Sequence, residues 1–274
     1  MRKPVICQRM LLKVSIFLMA VTLILCPAIL TQAIETSPAC KLEVIQPSSA
    51  DTYIDSVWSD TNNDGGGLSI HVTEFKSLRS FVKFDLSSIP LGSSVNTASL
   101  KLYFSGIGAV YPTGRTFMAY RVSNDWVENE ATWNSYQTGS PWDTAGGDYS
   151  TDGASSTPAP SSLGTWVTWD VTSIVKAWIE DGQPNYGFLL RDLNEGSPPF
   201  YGANFDSRES IFTGWRPILE IDWCEALPIV EPEPVGGELL SFYQLPNILI
   251  AIALVVSLVL SYNLYEKKHY FINR

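Results

Sequence analysis

The sequence predicts an all-β domain, a sandwich or a barrel with one short helix, plus a C-terminal transmembrane helix. Two observations predict it. From about Lys41 to Trp223, short runs rich in β-branched and aromatic residues alternate with clusters of Gly, Pro, Asn, Asp and Ser. That spacing is the mark of many short strands joined by turns. Toward the end of the chain, residues 239–265 ("LLSFYQLPNILIAIALVVSLVLSYNLY") carry no charge, over a length that crosses a bilayer core once as a helix.

Residues 1–33 read as a secretory signal: Arg2, Lys3, Arg9 and Lys13 precede the apolar run "VSIFLMAVTLIL", and small residues lead to a cleavage point after Ala33. Residues 40–224 form the expected β domain. Its strand-like runs are "KLEVIQ", "DTYID", "LSIHV", "SFVKFDL", "ASLKLYFS", "FMAYRVS", "TWVTWDV", "YGFLLRDL" and "RPILEIDW". Val82, Phe84 and Leu86 alternate onto one face, as do Ala98, Leu100, Leu102 and Phe104, so both sets are expected in the core. Residues 140–164 are so rich in Gly, Ser and Pro that they predict a long surface loop. In "TSIVKAWIEDG", Thr172 or Ser173 is the expected cap. Ile174, Val175, Trp178 and Ile179 share one helical face, and Gly182 is the stop. Residues 225–238 form a Pro- and Glu-rich stalk. Residues 239–265 are the expected span and residues 266–274, with Lys267, Lys268 and Arg274, the cytoplasmic tail. This places the protein in the cell membrane as a single-pass chain with the domain outside.

Cys40 and Cys224 are the only cysteines between signal and span, and they sit at the two margins of the domain. Outside the cell such a pair predicts one disulfide, which in turn requires the first and last strands to lie side by side. From Ile34 to Glu238 there are 27 Asp and Glu against 11 Lys and Arg, a net of −16. So acidic a surface argues against nucleic acid as a partner.

Three stretches taken together resemble one family. They are "RSFVKFDLSSIPLGSSVNTASLKLYF", "YRVSNDWVENEATWNSY" and "WVTWDVTSIVKAWIEDGQPNYGFLLRD", with "RPILEIDW" closing the domain. In kind and order they are similar to the DNRLRE domain, also described as carbohydrate-binding module family 96. The resemblance implies a jelly-roll-like β-sandwich on an extracellular protein, and binding of acidic polysaccharide through basic residues on one sheet face.

The residues offer such a grip. Arg79 and Lys83 lie four apart in a strand, so both point to one face with Phe81 between them. Guanidinium groups bind carboxylates bidentately. Arg191 and Arg208 are further candidates for that face. The bland reading of all four is surface cations paired with the abundant acids. Trp126 and Trp133 are expected to pin a loop rather than to stack on sugars.

Catalysis is poorly provided for. His71 is the one histidine between signal and span, and it lies in an alternating strand with no nucleophile motif beside it. Zinc would need more His or free Cys. A glycosidase needs only two carboxylates, but acids this numerous single out no pair. The expectation is therefore a non-catalytic polysaccharide-binding surface module. A structural envelope or adhesion protein is the alternative, and a polysaccharide-degrading enzyme the second alternative.

No cofactor is expected, with one open alternative. "DTNNDGGG" places Asp60, Asn62 and Asp64 before Gly65, like the first half of a calcium loop. The twelfth position from Asp60 is His71, where that loop needs Glu, and no helices are expected on either side. A Gly-rich turn is the preferred reading. Structural calcium on these residues, helped by a distant acid such as Asp51 or Asp222, is the alternative.

Overall fold

The computed structural model describes residues 39–108 and 110–226, with residues 250, 253–261 and 264 in a second compact unit. The signal, nearly all of the stalk and the tail lie outside the described residues.

The first unit is all-β. Its strands are β1 (Cys40–Ile45), β2 (Ala50–Asp55), β3 (Leu68–Val72), β4 (Ser77–Lys83), β5 (Ser94–Ile107), β6 (Thr116–Val122), β7 (Ser135–Gln137), β8 (Ser140–Pro141), β9 (Tyr149–Pro158), β10 (Thr165–Asp170), β11 (Phe188–Asp192), β12 (Tyr201–Phe205) and β13 (Ile218–Cys224). All but β7 and β8 belong to one antiparallel sheet in the order β1-β13-β5-β12-β3-β4-β11-β6-β9, with β10 added on β5 and β2 on β4. The sheet curls so that residues of β3, β4, β5, β6, β10, β11, β12 and β13 meet in one core, which fits a β-sandwich.

Between the faces lies the main core. Val82 and Phe84, then Ala98, Leu100, Leu102 and Phe104, are buried in it, as their alternation predicts. Helix α1 (Thr172–Ile179) closes one side by burying Ile174, Val175, Trp178 and Ile179. Its N-cap is Val171, without a side-chain cap bond. Thr172 is occupied elsewhere: its hydroxyl accepts from Ala98 N–H at 2.9 Å and donates to Asp170 at 2.5 Å. A buried bidentate pair, Arg115 with Asp192, ties the turn before β6 to the end of β11, and Tyr201 Oη donates to the same carboxylate at 2.6 Å.

The cysteine expectation holds. β1 and β13 pair antiparallel with Cys40 opposite Cys224, and the two are joined by a disulfide. The expected loop at residues 140–164 does not hold, because it contains β8 and the ten-residue β9 ("YSTDGASSTP"), paired along β6. Polar side chains suit β9 because most of them stay at least partly exposed.

In the second unit residues 253–261 are helical, and Leu254, Val255, Val256, Leu258, Val259 and Leu260 are exposed. Much of the expected span at 239–265 falls outside the described residues. Among those described, no helix is long and apolar enough to cross a membrane.

Candidate functional site

Strand alternation sends Arg79, Phe81 and Lys83 of β4 to the outer face of the β2-β4-β11-β6-β9 layer. That face is covered. The segment between β6 and β9, residues 123–148, folds across it and forms a second apolar cluster of Ile54, Phe81, Val122, Trp126, Ala131, Trp142 and Leu189. Trp142 stacks on Phe81 at 5.4 Å and 9°, and Trp126 lies at 5.4 Å, tilted by 48°. The indole N–H groups fix the segment: Trp126 donates to Tyr186 O at 2.8 Å and Trp142 to Thr132 O at 3.0 Å. The two tryptophans thus bury large apolar area while their polar tips are satisfied. Trp126 and Trp133 do anchor a loop, on the sheet face rather than its edge. Gly146 and Gly147 are required where the loop comes closest. Both have positive φ, and a Cβ would lie 2.6 Å from Arg79 Nη1 at Gly146, and 2.7 Å from Phe81 and from Leu189 at Gly147.

The four expected cations are split among three places. Arg79 is buried and donates to both oxygens of Glu195, Nε to Oε1 at 2.9 Å and Nη2 to Oε2 at 2.7 Å. Its guanidinium also lies 4.7 Å from the Trp133 ring and donates to Gly146 O. Arg191 reaches the same Glu195 at 2.6 Å and donates to Tyr149 Oη. Lys83 stands apart, 2.7 Å from Asp125 and over the Tyr186 ring at 5.9 Å. Arg208 is held by Glu209 at 2.6 Å, Glu128 at 3.2 Å and Ser49 O. Each cation has a carboxylate partner, so the four do not make one open basic face. The long-range pairing with Glu195, Asp125 and Glu128 is what the sequence pattern did not reveal.

Beside Lys83 the covering segment leaves a cleft of about 510 Å³, lined by Asn124, Asp125, Trp126, Tyr136, Gln137 and Tyr186. Its size is that of a small-molecule site. Aromatic rings and amide groups together can stack on a sugar ring and bond its hydroxyls. Lys83 at the rim is neutralised by an Asp125 side chain that is 66% exposed, so little holds the pair closed against a carboxylate competitor. The sequence singles out Lys83 by strand parity and Trp126 as a loop anchor; Asn124, Asp125, Tyr136, Gln137 and Tyr186 are not legible there, because their convergence depends on tertiary packing.

The "DTNNDGGG" turn is tied down by its own polar groups. Asp60 Oδ1 accepts from Asn134, Asn62 Nδ2 donates to Glu128 O and Ala131 O, and Asn62 Oδ1 accepts from Asp64 N–H. The turn instead brings Gly65 against a different set of acids. Asp51, Glu128 and Glu209 each place a carboxylate oxygen within 4.8 Å of the others. Burial, with Glu209 and Glu128 adding to it, pushes the Asp51 carboxyl up to about 7 despite bonds from Ser48 and Arg208 N–H. Asp222 lies away on β13, 3.4 Å from Asn96 Nδ2. His71 bonds Asn204 at 3.0 Å, and burial lowers its pKa.

Among curated proteins none matches this chain. Residues 43–222, two strand-ends short of the whole β domain, match the sequence model of carbohydrate-binding module family 96. With that match spanning most of the chain, on the antiparallel sandwich described above, the protein belongs to carbohydrate-binding module family 96.

Proposed function

We propose that this chain is a non-catalytic surface module that binds an extracellular or envelope polysaccharide in the cleft beside Lys83. The observation that carries this is the combination of Tyr136, Tyr186, Asn124 and Gln137 around about 510 Å³ of open volume with a cation at its rim, in a member of a carbohydrate-binding family. The rings offer apolar faces to a pyranose, and the amides offer donors and acceptors to its hydroxyls. Lys83 selects acidic sugars by exchanging Asp125 for a uronate carboxylate or a sulfate. Arg79 and Arg191, held on Glu195, are framework groups in this reading rather than ligand contacts.

The apolar side chains exposed along residues 254–260 suit a lipid environment. They support reading residues 239–265 as an anchor; in this reading the stalk of residues 225–238 joins it to a β domain outside the cell. A second reading, a structural envelope or adhesion role, is favoured by one observation. Ile211, Phe212 and Trp215 are exposed together, with Trp215 stacked on Tyr103 at 4.6 Å, an apolar patch of the kind that marks protein contacts. Retention of the full-length chain on a panel of neutral and acidic polysaccharides separates the two. Retention on an acidic member, lost with Lys83→Ala, is expected; retention on none contradicts the glycan reading.

A further inference from the structure

Asp51, Glu128 and Glu209 come from β2, from the segment covering the outer sheet face, and from the β12–β13 connection, far apart in the chain, yet they converge within 4.8 Å. A cluster of acids alone proves nothing, but here a second observation points to a ligand. Asp51 is fully buried. Its Oδ2 accepts from Ser48 Oγ at 2.5 Å and Arg208 N–H at 2.9 Å, while Oδ1 is buried with no hydrogen-bond partner among the described residues. A buried carboxylate oxygen left without a donor is costly, and either protonation or a cation relieves it.

The surroundings are oxygen-rich on a third side. A Cβ built on Gly65 would lie 3.2 Å from each of Asp51 O, Glu128 Oε1 and Glu209 Oε2. Gly65 has φ +64°, so glycine is favoured there both by backbone conformation and by the space it leaves beside those three oxygens. Charge is also unbalanced. Three carboxylates face one guanidinium, that of Arg208, which reaches Glu209 Oε1 and Glu128 Oε1. With Asp51 ionised, as a bound cation requires, two negative charges remain in a site with its deepest member out of water.

We propose that Asp51, Glu128, Glu209 and the Asp51 main-chain carbonyl hold one divalent cation of the calcium type beneath Gly65. The donors are all oxygen, which excludes zinc-type preferences and suits a hard cation. Their irregular arrangement suits calcium, which takes six to eight oxygens loosely, better than magnesium, which demands an octahedron. The cation clamps the turn at Gly65, the start of β2 and the covering segment to one another. The "DTNNDGGG" turn then serves the metal with its glycine and not with its carboxylates. This inference is independent of whether the cleft binds sugar.

The test is thermal unfolding and calorimetry on the full-length chain, stripped with chelator and titrated with calcium, then with magnesium. A calcium excess of a hundredfold over Kd is expected to raise Tm by about 5–10 °C, with magnesium weaker. Glu209→Gln removes a ligand whose side chain is 45% exposed, so the variant folds. It is expected to weaken calcium binding by about tenfold or more, following the loss of ligand charge, whereas Asp64→Asn leaves it unchanged. No calcium-dependent heat or Tm shift in the native chain would overturn the proposal, as would calcium binding lost in Asp64→Asn but kept in Glu209→Gln.

Discussion

Arg79 on β4 and Glu195, just after β11, form a bidentate pair with both side chains nearly excluded from water. The sequence places Arg79 on an outward face, and the structure agrees about the face but roofs it with tryptophans and Gly146. An arginine so held is part of the framework. Removing one partner of a buried pair leaves the other charge uncompensated. Arg79→Ala is therefore expected to cost about 3 kcal/mol of stability, measured by urea unfolding. A loss under about 0.5 kcal/mol, as for an ordinary surface site, would contradict this placement.

The Cys40–Cys224 bond closes a loop spanning 184 residues. In the chain-entropy account such a closure stabilises by at most about 5 kcal/mol, through the unfolded state. The Cys40→Ser, Cys224→Ser double variant is expected to unfold at distinctly lower urea concentration than the native chain. Among the described residues β1 has no sheet neighbour but β13, so amide hydrogen exchange in β1 should rise the most. Equal protection of β1 in both proteins would count against the bond as the clamp on that edge.

His71 gives a pH dependence with a definite sign. Burial holds the imidazole below its usual 6.5, and Lys76 nearby lowers it further, against the raising effect of the Asn204 bond. The unfolded chain therefore takes up a proton before the folded one as pH falls. The stability is present above about 6.5 and is lost as pH drops below it. His71→Gln is expected to show a shallower decline in unfolding midpoint between pH 7 and pH 5. Superimposable pH profiles for the two proteins would refute this.

Strands with clean alternation, such as β5 and β13, are legible because one side of each meets the main core; β4 is legible by its β-branched and aromatic run, although both of its sides are buried. The disulfide is legible as well, since only two of the four cysteines lie between the expected signal and span. β9 and β12 are not. "YSTDGASSTP" has turn composition and is a strand because β6 offers it an edge. "YGANF" carries a mid-strand glycine because the His71 ring packs against Gly202. At the site, Lys83 could be picked out from strand parity. Asn124, Gln137 and Tyr186 could not, since their convergence depends on Trp126 and Trp142 finding Phe81. Of the acids around Gly65, Asp51 is named from the sequence as a distant helper to this turn, while Glu128 and Glu209 are hidden by number: among so many carboxylates, only folding selects them.

Asp125 competes with any acidic ligand for Lys83. Asp125→Asn is accordingly expected to tighten binding of an acidic polysaccharide by a few fold, an exposed pair being worth about 0.2–1 kcal/mol. It should leave a neutral polysaccharide unaffected. Measured by affinity electrophoresis, weaker binding of the acidic polymer would show that Asp125 contacts ligand directly.

The central claim is that the cleft beside Lys83 binds polysaccharide, and calorimetry of the full-length chain against an acidic polysaccharide, with Lys83→Ala, Asn124→Ala as comparison, tests it most directly. The account predicts saturable binding by the native chain and at least about tenfold weaker binding by the double variant, two lost contacts including a charged one, with the unfolding temperature of the variant close to native. Binding of equal affinity in both proteins, or none in the native chain, would contradict it.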